Sequence, residues 1–181
     1  MKKLLLHACC AICSGYPITL LKDMGYDITV YFCNNNFDSE EEYNRRLEAE
    51  KTLCSHFEVP LITEPYTPQV YLDYVKGLEN EPEGGARCIN CFELRLKETA
   101  QKAKELGINE FTTSMIISPH KNFKNLCAVG KTVADEYGLE FLDIDFKKKD
   151  GFLKTNKISK ELGLYRQNYC GCAFAKRINI G

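Results

Sequence analysis

Little in this sequence carries net charge, repeats, or runs apolar for long. Its 24 lysines and arginines nearly cancel 25 acids, leaving −1 at pH 7. That balance excludes a chain-wide pull on nucleic acid or an anionic membrane, so a polyanionic partner would need a local basic face. Nothing approaches the roughly 20 consecutive apolar residues that cross a bilayer. Internal repeats, linkers and low-complexity stretches are missing too, which leaves one domain over residues 1–181. Apolar residues make up 44 % of the chain, enough for a substantial core.

Cysteine is what is plentiful: there are ten, and most sit in tight groups. A disulfide framework would spread them along the loops of a short secreted chain. The opening "MKKLLLHAC" imitates a lipoprotein signal, but only Leu4 to Leu6 precede His7 in its apolar segment. An h-region needs roughly 7–15 residues. The expectation is a cytoplasmic protein with reduced thiols available for metal or redox chemistry.

Strand-like and helix-like segments alternate, which predicts a parallel sheet covered on both faces. Strands are expected at 3–8, 27–34, 60–66, 110–115 and 139–146. Helices are expected from just after Ser14 to Gly25, from about Ser39 to Phe57, around 70–77, over 88–107 and over 123–138. Ser39 and Glu42 have the spacing of a capping box. The acidic, glycine-rich segment 78–88 reads as a loop, and the lysine-rich 147–163 carries no assignment. Ligands of such sheets collect beyond the carboxyl ends of the strands, where Cys9, Cys10, Cys13 and Cys33 fall.

Cys10 and Cys13 form one C-x-x-C, and Cys88 and Cys91 another, each near an expected helix start. Helix N-termini stabilise thiolates. Residues 14–87 separate the pairs, so any site using both is assembled by the fold. Four thiolates suit zinc or an iron–sulfur cluster equally. Cys9 is a fifth candidate, and can share a site with Cys10 only if the chain has left the strand there. Cys170 and Cys172 flank Gly171, a spacing that allows a strained, reducible disulfide or a supplementary metal pair. Cys54 and Cys127 read as packing residues, and Cys33 leans towards spectator. His7 reads as core or support behind the thiols, His56 as surface, and His120 as a group that could face a ligand.

The motifs "HACCAxC", "RCxxCFxLRLxxTA", "TTSMxxSPHKN" and "YRQxYCGC", spread from residue 4 to about 176, together resemble the QueH-type epoxyqueuosine reductases. Members of that family remove the epoxide oxygen of epoxyqueuosine in tRNA to give queuosine. The resemblance implies a Rossmann-like, HUP-type α/β domain with an inserted cysteine-bearing helical segment. Architecturally related ATP-using enzymes carry S-G-G-x-D-S after the first strand; "ACCAICSG" lacks that spacing, so ATP use is not expected. It further implies a [4Fe–4S] cluster on Cys9, Cys10, Cys88 and Cys91, and a catalytic, redox-active disulfide at Cys170–Cys172. A second, mononuclear iron is associated with the family, with Cys13 and an acid such as Asp38 as candidate ligands. The implied partners are tRNA and an unidentified electron donor.

Turning an epoxide into an alkene takes two electrons and two protons, whereas one cluster normally passes one electron at a time. A second centre or a thiol pair is therefore needed. Basic stretches at 118–125 and 147–157, with Arg166 and Arg177, are candidates for the RNA face. Two other readings compete: a zinc-stabilised RNA-binding module without activity, and a thiol–disulfide oxidoreductase built on Cys170 and Cys172.

Overall fold

A computed structural model describes residues 1–167 and 169–174. Five parallel strands form one sheet: β1 Lys2–His7, β2 Tyr26–Phe32, β3 Leu61–Thr63, β4 Glu110–Thr113 and β5 Glu140–Phe141. They lie in the order β3-β2-β1-β4-β5. Helices α1 Ala11–Asp23, α2 Glu40–Phe57, α3 Pro68–Tyr74, α4 Ala86–Leu106, α5 Phe123–Tyr137 and α6 Gly151–Glu161 cover it. One set packs α1 against α2 and α6; the other packs α4 against α3 and α5.

The central strand explains the arrangement. Leu4, Leu5 and Leu6 are all fully buried, the continuous apolar run of a strand covered on both faces. Leu5 pairs with Thr29 on one side and Phe111 on the other. The chain builds outward from β1 through β2 to β3, then returns to add β4 and β5 on the other side. The topological switch point thus lies between β1 and β4, where residues 8–13 and 114–122 meet.

Several boundaries differ from the sequence expectation. Pro17 favours a helix start nearby, yet α1 has already begun at Ala11, with Cys10 as an extended N-cap that makes no side-chain capping bond. The last strand is two residues, not eight. After Leu142 donates its N–H to the Phe111 carbonyl, Asp143 turns to solvent and pairs with Lys131. Asp145 then accepts the Lys147 N–H and turns the chain. Helix α6 forms in a lysine-rich stretch whose sequence carries no clear helical pattern. It is held by a few buried contacts on α1: Thr155 Oγ1 donates to the Ile12 carbonyl at 2.5 Å and accepts the Tyr16 N–H at 3.2 Å. Gly15 makes this approach possible, since a Cβ there would sit 3.0 Å from the Ile158 side chain. The Ser39 cap forms as expected, accepting the Glu42 N–H at 3.1 Å. No helix among the described residues is long and apolar enough to cross a membrane.

Candidate metal–thiol centre

Strand β1 ends at His7, so the chain is already turning when it reaches Cys9 and Cys10. Cys13 follows one turn into α1. The three Sγ atoms all lie within 4.8 Å of one another, the one such group among the described residues. Ser114, just past β4, ties the group across the switch point. Its hydroxyl accepts the Cys9 N–H at 3.1 Å and lies 3.3 Å from the Cys9 sulfur. Cys9 is held well below the usual thiol range by hydrogen bonds from the Cys10 and Cys13 thiols, which outweigh burial. Cys13, donating to Cys10 and Cys9, is pushed well above it. The hydrogen bonds within the trio thus favour negative charge on Cys9 over Cys13.

These sulfurs open into a cavity of about 360 Å³, also lined by Arg46, Arg95, His120, Lys121 and Cys170. A smaller cavity of about 90 Å³ adjoins it, lined by Cys88, Cys91, Cys170 and Cys172 and sharing the Arg95, His120 and Lys121 walls. Cys91 is buried, and burial first of all raises its thiol to about 12. Cys88 accepts the Gly84 N–H at 3.2 Å. Both sit in the first turns of α4.

Cys170 reaches the border of the two cavities because the segment around it is clamped. Arg46 is buried, held by Glu42 at 2.8 Å, and donates to the carbonyls of Cys170 at 2.9 Å and Tyr169 at 3.0 Å. The Asp38 N–H donates to the Gly171 carbonyl at 2.7 Å, and Tyr169 donates its hydroxyl to Asp38. Cys170 is held well below the ordinary thiol pKa, first by a hydrogen bond from Cys172 and further by the Lys121, Arg95 and Arg46 charges. All ten cysteines are free thiols here.

The remaining candidates lie apart. Cys33 donates to the Glu98 carboxylate at 2.7 Å and lines a separate cavity with Tyr31 and Glu64. Cys54 and Cys127 are buried in α2 and α5. His56 is exposed, His7 is fully buried, and Asp38 faces Tyr169. Arg177 and Asn168 of the last motif lie outside the described residues. Sequence reasoning gave no role to Arg46, Arg95 or Ser114, and placed Lys121 only within the basic stretch 118–125 offered to RNA. Arg95 and Ser114 do stand inside quoted motifs, and the placement of Arg95 four residues after Cys91 was the available signal.

The profile described as "Epoxyqueuosine reductase QueH" matches residues 4–178. The chain belongs to the epoxyqueuosine reductase family. Among curated members of the family, the "Epoxyqueuosine reductase QueH" of Streptococcus pyogenes serotype M1 is 42 % identical over 181 residues, covering 97 % of this chain and 71 % of that protein. That of Dehalococcoides mccartyi is 35 % identical over 179 residues, covering 99 % and 95 %. The family makes the chain an oxidoreductase. A fold likeness extends to the U34-tRNA thiolase NcsA from Methanococcus maripaludis with its [4Fe–4S] cluster, with a TM-score of 0.59 at 11 % identity. That alignment covers 99 % of this chain and spans 63 % of the thiolase.

One residue of the reductase site shows how tightly the C-x-C turn is built. Gly171 has φ +117°, and a Cβ there would lie 2.5 Å from the Phe37 ring and 3.0 Å from the Arg46 guanidinium. Gly171→Ala meets both left-handed strain and the Arg46 clamp. The expected result is a loss of about 1–3 kcal/mol in urea unfolding, with Cys170 alkylated more slowly by iodoacetamide as it leaves the cations.

Proposed function

We propose that this chain reduces epoxyqueuosine in tRNA to queuosine, with iron bound at the sulfur centre and Cys170 and Cys172 as its working dithiol. The observation that carries the reading is the ring of three sulfurs at the switch point, opening onto a cavity shared with Cys170. Arg95 and Lys121 line both cavities, whose one shared acid is the exposed Glu83, and among the described residues neither cation has a carboxylate within 4.0 Å. Buried or half-buried cations without a paired acid suit an anionic metal–thiolate assembly.

Cys9, Cys10, Cys88 and Cys91 would hold the [4Fe–4S] cluster, and Cys13, with an acid such as Asp38, a mononuclear iron. When bound, the cluster supplies single electrons at low potential. The chain's own residues supply the rest. The reaction consumes two electrons and two protons and releases water. Oxidation of Cys170 and Cys172 to their disulfide yields two electrons and, with Cys170 already ionised, the Cys172 proton. The second proton comes from the Lys121 ammonium. Burial pulls that group down, but the Cys170, Cys9 and Cys13 charges outweigh it and keep it protonated. An external donor then returns the disulfide to the dithiol.

A cavity of about 360 Å³ is of the size that takes a small ligand, here one splayed nucleotide of the anticodon loop. Phe152 is 39 % exposed at its mouth beside Arg166, a stacking face next to a phosphate contact. Lys148, Lys149, Lys154 and Lys157 extend the basic rim over 147–157. Residues 1–181 act in this reading as a single cytoplasmic domain with metal-binding insertions.

The test is anaerobic purification followed by incubation with epoxyqueuosine-containing tRNA and a chemical reductant. Broad absorbance near about 400 nm and loss of one oxygen from the nucleoside by mass spectrometry are expected. Cys170→Ser and Cys172→Ser should each abolish repeated turnover, and full multi-turnover activity in both would remove the dithiol from the mechanism. A colourless, zinc-loaded protein that binds tRNA without changing it would favour the RNA-binding module instead.

A further inference from the structure

Arg95 occupies an unusual position for a charged side chain. It is 2 % exposed, and its Nε and one terminal nitrogen both donate to a single neutral acceptor, Asn34 Oδ1, at 3.1 and 2.6 Å. No carboxylate lies within 4.0 Å of it among the described residues. Glu98, about one turn further along its helix, is engaged by the Cys33 thiol at 2.7 Å and the Asn35 amide at 3.3 Å. A guanidinium buried without a counter-charge is strongly unfavourable. Its fork must therefore answer a charge elsewhere.

The direction of that charge follows from the fold. Cys88, Cys91 and Arg95 sit three and four residues apart, on one face of α4. Arg95 lines the cavity of Cys9, Cys10 and Cys13 and also that of Cys88, Cys91 and Cys170. The Asn34 amide that aims it is itself fixed: Nδ2 donates to the Ala8 carbonyl at 2.9 Å, and Oδ1 also meets His7 Nε2 at 3.1 Å. Burial alone would lower the Arg95 pKa, but the Cys91, Cys9 and Cys170 charges raise it.

We propose that Arg95, aimed by Asn34, is the fixed counter-charge of the sulfur centre and raises the reduction potential of the cluster held there. The inference rests on the cluster reading above and adds to it the group that tunes the centre. Each one-electron reduction adds a negative charge, and a cation in a dry site favours the reduced form. Lys121 faces the same sulfurs but is less completely buried than Arg95 and carries its charge on a flexible stem, so solvent screens it more. The neutrality of Asn34 belongs to the device, because a carboxylate there would cancel the guanidinium. Arg95 is thus a positioning and tuning residue.

The experiment is an anaerobic redox titration of the tRNA-free holoprotein, followed by cluster absorbance and electron paramagnetic resonance, for the wild type, R95K, R95Q and N34D. R95Q and N34D should each move the one-electron equilibrium about tenfold towards the oxidised form, a fall of about 59 mV. R95K, which keeps the charge, should move it less. N34D reads the same quantity without touching Arg95, should R95Q fold poorly. Iron lost from R95Q and N34D but retained by R95K also supports the counter-charge. Unchanged potentials in loaded R95Q and N34D overturn it, as does iron lost from all three variants, which would assign Arg95 to packing. A wild-type protein without the cluster chromophore overturns the cluster reading and this inference together, and is recognised before any variant is made.

Discussion

Cys9→Ala and Cys10→Ala should each give a folded protein that retains little iron and no measurable reductase activity. The two sulfurs stand 4.0 Å apart at the turn leaving β1, and no other Cys, His, Asp or Glu side chain among the described residues joins their three-thiol group. Metal-supporting neighbours alone are worth about 10–100-fold in affinity, so loss of a ligand should exceed that. Cys54→Ala and Cys127→Ala provide the contrast. Both thiols are buried in helices away from the cavities, and their loss should cost about 1–2 kcal/mol of stability with iron content unchanged. Cys13→Ala separates the two iron sites. It should keep the chromophore and reduce the iron count, whereas loss of the whole chromophore would place Cys13 among the cluster ligands. Iron per chain, sulfide per chain and absorbance decide among these outcomes.

Much of this arrangement is legible in the sequence because it depends on local patterns. The apolar run before His7, the Ser39 cap and the cysteine pairs at helix starts are each set by a few adjacent residues. The parallel sheet follows from their alternation, and its switch point falls where the thiols gather. Helix α6 and the short β5 resist the same reading for a shared reason. α6 is fixed by Thr155 and Ile158 packing on α1, and its own sequence shows mainly exposed lysines. β5 ends where Asp143 and Asp145 find partners in Lys131 and Lys147, which no alternation pattern records. The site divides likewise. Cysteines announce themselves by spacing, but Arg46 and Arg95 are solvated-looking cations until the fold buries them against carbonyls and an amide.

Two buried groups beneath the centre should tilt stability with pH in opposite directions, each read as the difference between the wild type and its variant. His7 is fully enclosed between Thr113 Oγ1 at 2.9 Å and Asn34 Oδ1 at 3.1 Å. Burial, with the Arg95 charge behind it, lowers its pKa from 6.5 to about 3. Between those values the unfolded chain takes a proton that the folded chain refuses, so stability falls as pH falls, by up to about 5 kcal/mol. Glu50 is fully buried against Ser14 and Cys54. Burial, and then the Cys9 charge, raises it from 4.5 to about 8. Here the folded chain keeps a proton that the unfolded chain releases, so this contribution is complete below about pH 4.5 and is lost as pH rises through about 8. The Cys9 and Cys170 thiolates add a rise with pH that both variants share with the wild type. Relative to the wild type, Glu50→Gln should gain stability as pH rises from about 4.5 to 8, and His7→Gln as pH falls from 6.5 towards about 3. Urea unfolding of the metal-free protein from about pH 4 to 8.5 checks both differences. A difference between the wild type and Glu50→Gln that stays constant from about pH 4.5 to 8 would show that Glu50 is ionised in the folded chain, and that the floor beneath the sulfurs is wetter than its hydrogen bonds require.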